Sequence, residues 1–185
     1  MIVNDAAKGR RTSAVLAVVL GLLQLSVIPN VGILGGRANL ALVFVACACL
    51  GGDAQKGPAI GFVAGLFYDL AGSGPIGLMA LLLTLVGYVF AASGRSRVAD
   101  DFGGSLVLFA PIAAAVGVVY ALVLLVLGIS PSFVDAVFLR AVPGAVLDCV
   151  ALSIVAAVLS RTSANSGGLG GGAHGRRGYT LRRGL

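Results

Sequence analysis

Six apolar segments joined by short polar connections constrain this chain more than any other feature. A helix that crosses the hydrocarbon core of a bilayer needs about 20 apolar residues, with a lower limit near 17. The first segment reaches that length if its helix continues past Pro29 towards Leu34, and the short second and third segments need flanking residues. We predict an all-α integral membrane protein, a compact bundle of about six transmembrane helices. The segments are approximately Ala14–Ile28, Ala38–Leu50, Ala59–Ala71, Pro75–Ala92, Ser105–Leu127 and Ala136–Leu159.

Composition indicates that lipid surrounds most of the chain. Of the 185 residues, 58% are hydrophobic and 11% are charged, and the mean hydropathy is +1.04. Charged residues make up about a quarter of an ordinary soluble domain, which uses them to cover its core. This chain has too few charged residues for that purpose, so a soluble globular domain is excluded.

The distribution of positive charge tests the number of crossings, because Lys and Arg collect on the cytoplasmic side of membrane proteins. Six crossings that start inside place eleven of the 13 Lys and Arg residues in the cytoplasm and leave Arg37 and Arg140 outside. If the second and third segments formed a re-entrant hairpin instead, Arg95 and Arg97 would face outwards together with the tail. We therefore predict a multi-pass protein with both termini in the cytoplasm, and a retained first helix rather than a signal peptide.

Three regions follow from this topology. Residues 1–13 form a basic cytoplasmic N-terminus, residues 14–160 form the transmembrane helical domain, and residues 161–185 form a cytoplasmic tail rich in Gly and Arg. The tail lacks apolar periodicity, so we predict that it is disordered. Its arginines either contact anionic lipid headgroups or only fix the topology, and the sequence favours neither reading.

One stretch concentrates flexible and polar residues between apolar segments: GFVAGLFYDLAGSGPIGL, residues 61–78. Gly61 and Gly65 are spaced G-x-x-x-G, a pattern that lets two membrane helices pack with their backbones close together. Asp69 lies four residues further on and shares the same helix face. We predict a tight helical hairpin here, with Pro75 as an early residue of the fourth helix.

An acid within a spanning helix is costly, about 3 kcal/mol at the centre of the span, and needs a partner. The sixth segment places Arg140, Gly144 and Asp148 four residues apart. We predict that Asp69 and Arg140 pair where the glycine faces of the third and sixth helices pack. Arg37 is the competing partner, and the alternative is an Asp69 that lies in interfacial water at the helix end.

Asp148 lies near the middle of its segment, with no cation one helical turn away. Two readings are open for it. In one, the acid is protonated and donates a hydrogen bond to another helix; in the other, it is a functional ion site. Gln24, Asn39 and Tyr88 are further polar residues in apolar segments, and we predict that they form hydrogen bonds between helices.

The run from Gly61 to Tyr88, GFVAGLFYDLAGSGPIGLMALLLTLVGY, resembles the core signature of the rod shape-determining protein MreD family. That signature has a G-F-x-x-G-L-x-x-D run, a short glycine-containing turn, then G-L-x-A-L and G-Y. The glycine-rich basic tail is outside this resemblance. The matching positions in this chain are Gly61, Phe62, Gly65, Leu66, Asp69, Gly77, Leu78, Ala80, Leu81, Gly87 and Tyr88.

The resemblance implies a non-enzymatic protein of the bacterial cytoplasmic (inner) membrane that helps to control cell shape. Its implied partners are MreC and, through MreC, the MreB filaments and the peptidoglycan synthase formed by RodA and a penicillin-binding protein. The lipid bilayer is its surroundings, and no cofactor is implied. The resemblance also implies a fold similar to the S component of energy-coupling-factor transporters.

Two other classes of function are considered. A substrate-binding S-type subunit of a vitamin transporter needs a polar pocket, and this chain has few uncharged polar side chains in its apolar segments. An intramembrane enzyme needs paired aspartates or a Ser–His pair, but the one histidine lies in the tail, and we place Asp69 and Asp148 at different depths. The excess of Lys and Arg over Asp and Glu is explained by the membrane topology, so it does not indicate nucleic-acid binding.

Overall fold

A computed structural model describes residues 3–30, 32–33, 36–50, 55–72, 74–93, 98, 101–128, 132–134, 138 and 140–167. The described residues form six α-helices, so the predicted all-helical bundle is confirmed. A short 3-10 turn, Ile28–Asn30, and two strands, β1 Gly32–Ile33 and β2 Gly36–Arg37, lie between the first two helices. The helices are α1 Val3–Ser26, α2 Leu40–Cys49, α3 Gly57–Ala71, α4 Leu78–Ala92, α5 Phe102–Val126 and α6 Val142–Gly167.

Two of these helices are long and apolar enough to cross a membrane, namely α5 and the part of α6 from Val142 to Arg161. The other apolar helical stretches have between 10 and 17 residues. A path with six complete crossings therefore stays a prediction. The stretches are Arg11–Ser26, Leu40–Cys49, Gly57–Ala71 and Leu78–Ala92.

The ends of three helices can be compared with the sequence, and the predicted place of Pro75 early in the fourth helix is wrong. Helix α1 ends at Ser26, so the extension past Pro29 that would lengthen the first segment does not occur, and the chain then enters an antiparallel hairpin in which Gly32 pairs with Arg37. Helix α4 begins at Leu78, because Gly77 has a left-handed backbone with φ of 97° that cannot continue a right-handed helix from Pro75. Helix α6 is α-helical from Val142, and the described residues Phe138, Arg140 and Ala141 before it are π-helical, while the predicted start at Ala136 lies outside the described residues.

Helix α2 is the central helix of the bundle and packs against α1, α3, α4 and α6. Its side chains are apolar on every face, as expected for a helix that other helices surround. Leu42, Val43, Val45 and Ala46 have no exposed surface. The core extends to α5 through a stacked ring pair, in which the ring centroids of Phe90 and Phe109 lie 6.2 Å apart. The shortest helix is thus also the most deeply buried.

Successive helices run in opposite directions, so their ends collect at two ends of the bundle. We call the end where α2, α4 and α6 begin the capped end. At the opposite end α2 finishes beside the start of α3, and the Cys49 thiol donates to the Gly57 carbonyl at 3.8 Å.

Candidate functional site

Helices α3 and α4 meet along a row of glycines that we call the glycine seam. It consists of Gly57, Gly61 and Gly65 on α3 and Gly87 on α4, and all four residues are buried. The three α3 glycines are four residues apart, so they lie on one face of the helix. Helices in lipid lack a hydrophobic drive to associate, and small residues let their backbones approach closely.

The packing at the seam leaves no room for a side chain. A methyl group on Gly65 would lie 2.5 Å from the Cα atom of Ala80. On Gly61 it would collide with the carbonyl group of Leu83, and on Gly57 with that of Gly87. The atoms in the way are backbone atoms, which cannot rotate aside as a flexible side chain can. The seam therefore requires glycine at these positions.

Asp69 lies in the last turn of α3, and its carboxylate caps the N-terminus of α4. The backbone N–H groups of Gly77 and Ala80 donate to Oδ2 at 2.8 and 3.1 Å, and that of Met79 donates to Oδ1 at 3.2 Å. The first turn of a helix has backbone N–H groups without partners, and its positive dipole end favours a negative charge. Asp69 is only 3% exposed, so the helix end and the acid satisfy each other inside the protein.

Asp148 plays the corresponding part at the N-terminus of α2. Its Oδ1 accepts a hydrogen bond from the backbone N–H of Asn39, the residue before the helix. The side chain of Asn39 accepts from the backbone N–H of Leu42 at 3.1 Å, and Gln24 of α1 accepts from that of Leu40 at 2.8 Å. Side chains from α1 and α6 therefore complete the cap that Asn39 begins.

The two capped helix ends are in contact. The side-chain amide of Asn39 donates to the sulfur of Met79 at 3.5 Å, which links the start of α2 to the start of α4. We refer to Asp69, Asp148, Asn39 and Gln24 as the cap cluster.

The structure does not bring Asp69 and Arg140 into an ion pair. Among the described residues, the partners of the Asp69 carboxylate are the backbone groups at the start of α4. Arg140 is exposed and precedes α6, whereas Gly144 and Asp148 are buried within that helix. Arg140 lies in a π-helical turn that runs directly into α6, and the wider i→i+5 turn does not keep the four-residue spacing on one face.

The predicted contact between the glycine faces of α3 and α6 is replaced by two separate contacts. Gly61 and Gly65 pack against α4. Gly144 packs instead against β2, where a methyl group on it would lie 3.3 Å from the carbonyl oxygen of Arg37. The apolar pattern of the sequence did not predict the β-hairpin, which contacts Gly144 where the α3 glycines were expected.

The structure confirms two of three predicted polar contacts between helices and adds two glycines to the seam. Gln24 and Asn39 form hydrogen bonds between helices, as predicted, but Tyr88 is 58% exposed on α4. Gly57 and Gly87 belong to the seam and were not singled out from the sequence. The sequence did contain a pattern that could have revealed Gly57, because it lies four residues before Gly61 and so extends the spacing of Gly61 and Gly65.

The chemistry of the site is structural in character. Both buried acids accept hydrogen bonds from backbone N–H groups at helix starts. Within the described ranges, no group of three or more His, Cys, Asp or Glu residues could hold a metal ion. The arrangement fixes where two helices begin and how α3 packs on α4.

Comparison with known proteins places these features in a family. Residues 7–160 match the family model described as rod shape-determining protein MreD, which confirms the resemblance seen between Gly61 and Tyr88. No curated protein matches the chain, and no solved structure matches it. The similarity to S components of energy-coupling-factor transporters therefore stays a prediction.

Proposed function

The chain belongs to the MreD family of rod shape-determining proteins, and on that premise we propose that it is a membrane subunit of the bacterial cell-elongation complex. The family is a non-enzymatic family of membrane proteins that determine cell shape. In our proposal the chain helps to link MreC and the peptidoglycan synthase, formed by RodA and a penicillin-binding protein, to cytoplasmic MreB. The observation that carries the proposal is the family match over residues 7–160, which includes most of all six helices.

We propose a multi-pass topology in the cytoplasmic membrane, with both termini in the cytoplasm. The lengths of α5 and α6 support it, and so does the separation of charge between the two ends of the bundle. Arg37 and Arg140 lie at the capped end, whereas Lys56 and Arg161 lie towards the opposite end. The capped end then faces outwards and the opposite end faces the cytoplasm.

In this topology the cap cluster supplies hydrogen-bond acceptors to helices that begin inside the membrane. Helix α2 has 10 residues, about 15 Å at 1.5 Å per residue, which is half of a hydrocarbon core of about 30 Å. A helix that begins below the membrane surface cannot satisfy its first N–H groups with water, so the protein must supply acceptors. Asp148, Gln24 and Asn39 supply them for α2, and Asp69 does so for α4.

In this proposal the seam and the cap cluster act as an internal clamp, and the outer faces of the helices meet the partner proteins. Gly61, Gly65 and Asp69 are buried against α4, and Gly144 is buried against β2. Their contribution to assembly is therefore indirect: they hold the helices whose exposed faces the partners contact.

The test is depletion of the protein in a rod-shaped bacterium that encodes it, followed by complementation and affinity purification from the membrane. We expect depleted cells to widen and round up, and the wild-type protein to restore their width and to co-purify with MreC. Gly61→Leu is expected to do neither, whereas Gly103→Leu, at a position with open space around it, is the matched control. Normal rods after depletion, together with no recovery of MreC, would show the proposal to be wrong.

A further inference from the structure

Two arginines that are far apart in the sequence belong to backbone segments that touch at the capped end. A methyl group on Gly36 would lie 2.7 Å from the amide nitrogen of Gly144 and 2.9 Å from the carbonyl oxygen of Arg140. The carbonyl oxygen of Arg37 lies in turn against Gly144. The backbones of β2 and the start of α6 therefore touch, and Arg37 and Arg140 flank that contact.

Both arginine side chains are exposed, and within the described part of the chain no carboxylate forms an ion pair with either. The two buried acids of this end, Asp69 and Asp148, instead accept hydrogen bonds from backbone N–H groups. Two like charges held on neighbouring segments repel each other, and an anion between them would turn that repulsion into attraction. Among the described residues, the fold thus holds two exposed cations that form no ion pair with either acid.

We propose that Arg37 and Arg140 together bind a phosphate group at the capped end. A guanidinium group is a planar fork of N–H donors that matches two oxygens of a phosphate, and it keeps its charge at any physiological pH. The phosphate belongs to a phospholipid headgroup or to a soluble phosphate compound.

This site is independent of the proposed role in cell elongation, since it rests on the contact between β2 and α6. The proposed topology decides only which leaflet would supply a lipid headgroup. Binding of the phosphate can therefore fail while the elongation role holds, and the reverse is also possible.

The test uses the full-length protein in nanodiscs that contain a phosphatidylglycerol analogue with a photoreactive headgroup. Cross-linked peptides are identified by mass spectrometry. We expect cross-links at residues 36–37 and 140–144, and a loss of about tenfold or more in the double variant Arg37→Gln/Arg140→Gln, because hydrogen bonds to charged groups are among the strongest. The double variant Arg11→Gln/Arg161→Gln removes the same charge elsewhere and is expected to keep these cross-links.

Two additions separate the sources of phosphate and the role of geometry. Competition by inorganic pyrophosphate would identify a soluble phosphate compound as the occupant, and resistance to it would identify the lipid headgroup. Arg37→Lys/Arg140→Lys keeps the charge without the fork, so we expect an intermediate loss. Because both side chains are exposed, each variant should elute as wild type in size-exclusion chromatography. Equal cross-linking in the glutamine variant and the wild type, or no cross-link at these residues, would overturn the proposal.

Discussion

The α3–α4 hairpin and the α5–α6 pair are both antiparallel helix pairs, but they are held together in different ways. In the α3–α4 hairpin, glycines bring two backbones into direct contact and Asp69 clamps the start of α4. Helices α5 and α6 are long and apolar, and in the most apolar 18-residue stretch of each only 22% is buried inside the protein. Gly117 of α5 has ordinary spacing, since a methyl group on it would lie 3.4 Å from the side chain of Ala141.

Helix length explains this difference. Helices α3 and α4 have 15 residues each, about 22 Å, whereas α5 has 25 residues, about 38 Å, and the apolar part of α6 has 20 residues, about 30 Å. Long apolar helices are held in the bilayer by their own length, which reaches or exceeds the hydrocarbon core of about 30 Å. Short helices lack that support, so close backbone packing and buried caps hold them in place.

The largest effect is expected from Gly61→Leu in the seam. A leucine there must displace the carbonyl group of Leu83, and overpacking of this kind costs about 3 kcal/mol, the upper part of its usual range. We expect little folded protein after purification in detergent, measured by size-exclusion chromatography. Gly103→Leu in α5 adds the same side chain in open space and should elute as wild type. A normal yield of the Gly61 variant would contradict the packing seen at the seam.

The next largest effect is expected from Asp69→Ala. It leaves three backbone N–H groups at the start of α4 without their acceptor, and the loss of such a cap costs about 2 kcal/mol. We expect a lower thermal unfolding temperature. Asp69→Asn keeps an acceptor oxygen and should lie between the alanine variant and the wild type. An unchanged unfolding temperature for Asp69→Ala would contradict a stabilising role of the Asp69 cap.

Exchanging the charges of Asp69 and Arg140 distinguishes the cap from the ion pair that the sequence suggests. We expect Asp69→Arg to destabilise the protein and Arg140→Asp, at an exposed position, to have little effect. The double exchange should then be as unstable as Asp69→Arg alone, because an arginine cannot accept hydrogen bonds from α4. Restored stability in the double variant would favour the ion pair.

A smaller effect is expected from Asp148→Ala. Asp148 accepts a hydrogen bond from one backbone N–H group, while Gln24 and Asn39 continue to cap α2. The loss should be about 1 kcal/mol, the usual contribution of one hydrogen bond. The double variant Asp148→Ala/Gln24→Ala removes two of the caps and should approach the effect of Asp69→Ala in the same thermal measurement. If Asp148→Ala proved less stable than Asp69→Ala, the α2 cap would be the stronger of the two, contrary to this expectation.

The smallest effect is expected from Gly117→Ala. Its added methyl group would make ordinary contacts with Ala141 at 3.4 Å, and alanine is the better helix former by about 1 kcal/mol. We expect the unfolding temperature to stay unchanged or to rise slightly. Gly65→Ala is the matched change in the seam and should lower it. Equal behaviour of the two alanine variants would show that the two helix pairs are packed alike.

The sequence allowed the number of helices and the position of the glycine face to be predicted, because apolar runs and four-residue spacing depend on local order alone. The predicted bounds of the fifth segment, Ser105–Leu127, lie close to α5. The family could be recognised because its signature lies in one continuous run. The start of α4 was missed because Pro75 is compatible with a first turn, whereas the backbone of Gly77 is not.

The partner of Asp69 could not be predicted for a different reason. Both an arginine and the N-terminus of a helix satisfy a buried carboxylate, and the sequence pattern does not say which is nearer. The β-hairpin that brings Gly36 and Arg37 to the start of α6 has only two residues in each strand, too few for a periodic signal. The turn between α3 and α4 decided the first case, and a contact between distant segments decided the second.

Hydrogen exchange at the start of α4 tests most directly whether a buried carboxylate holds this helix end. The amides of Gly77, Met79 and Ala80 should exchange slowly in the wild type and much faster in Asp69→Ala. The amide of Gly104, which an exposed Asp101 caps in α5 at 2.9 Å, serves as the internal reference and should be the same in both proteins. Equal exchange of the three α4 amides in wild type and variant would contradict a helix start held by Asp69.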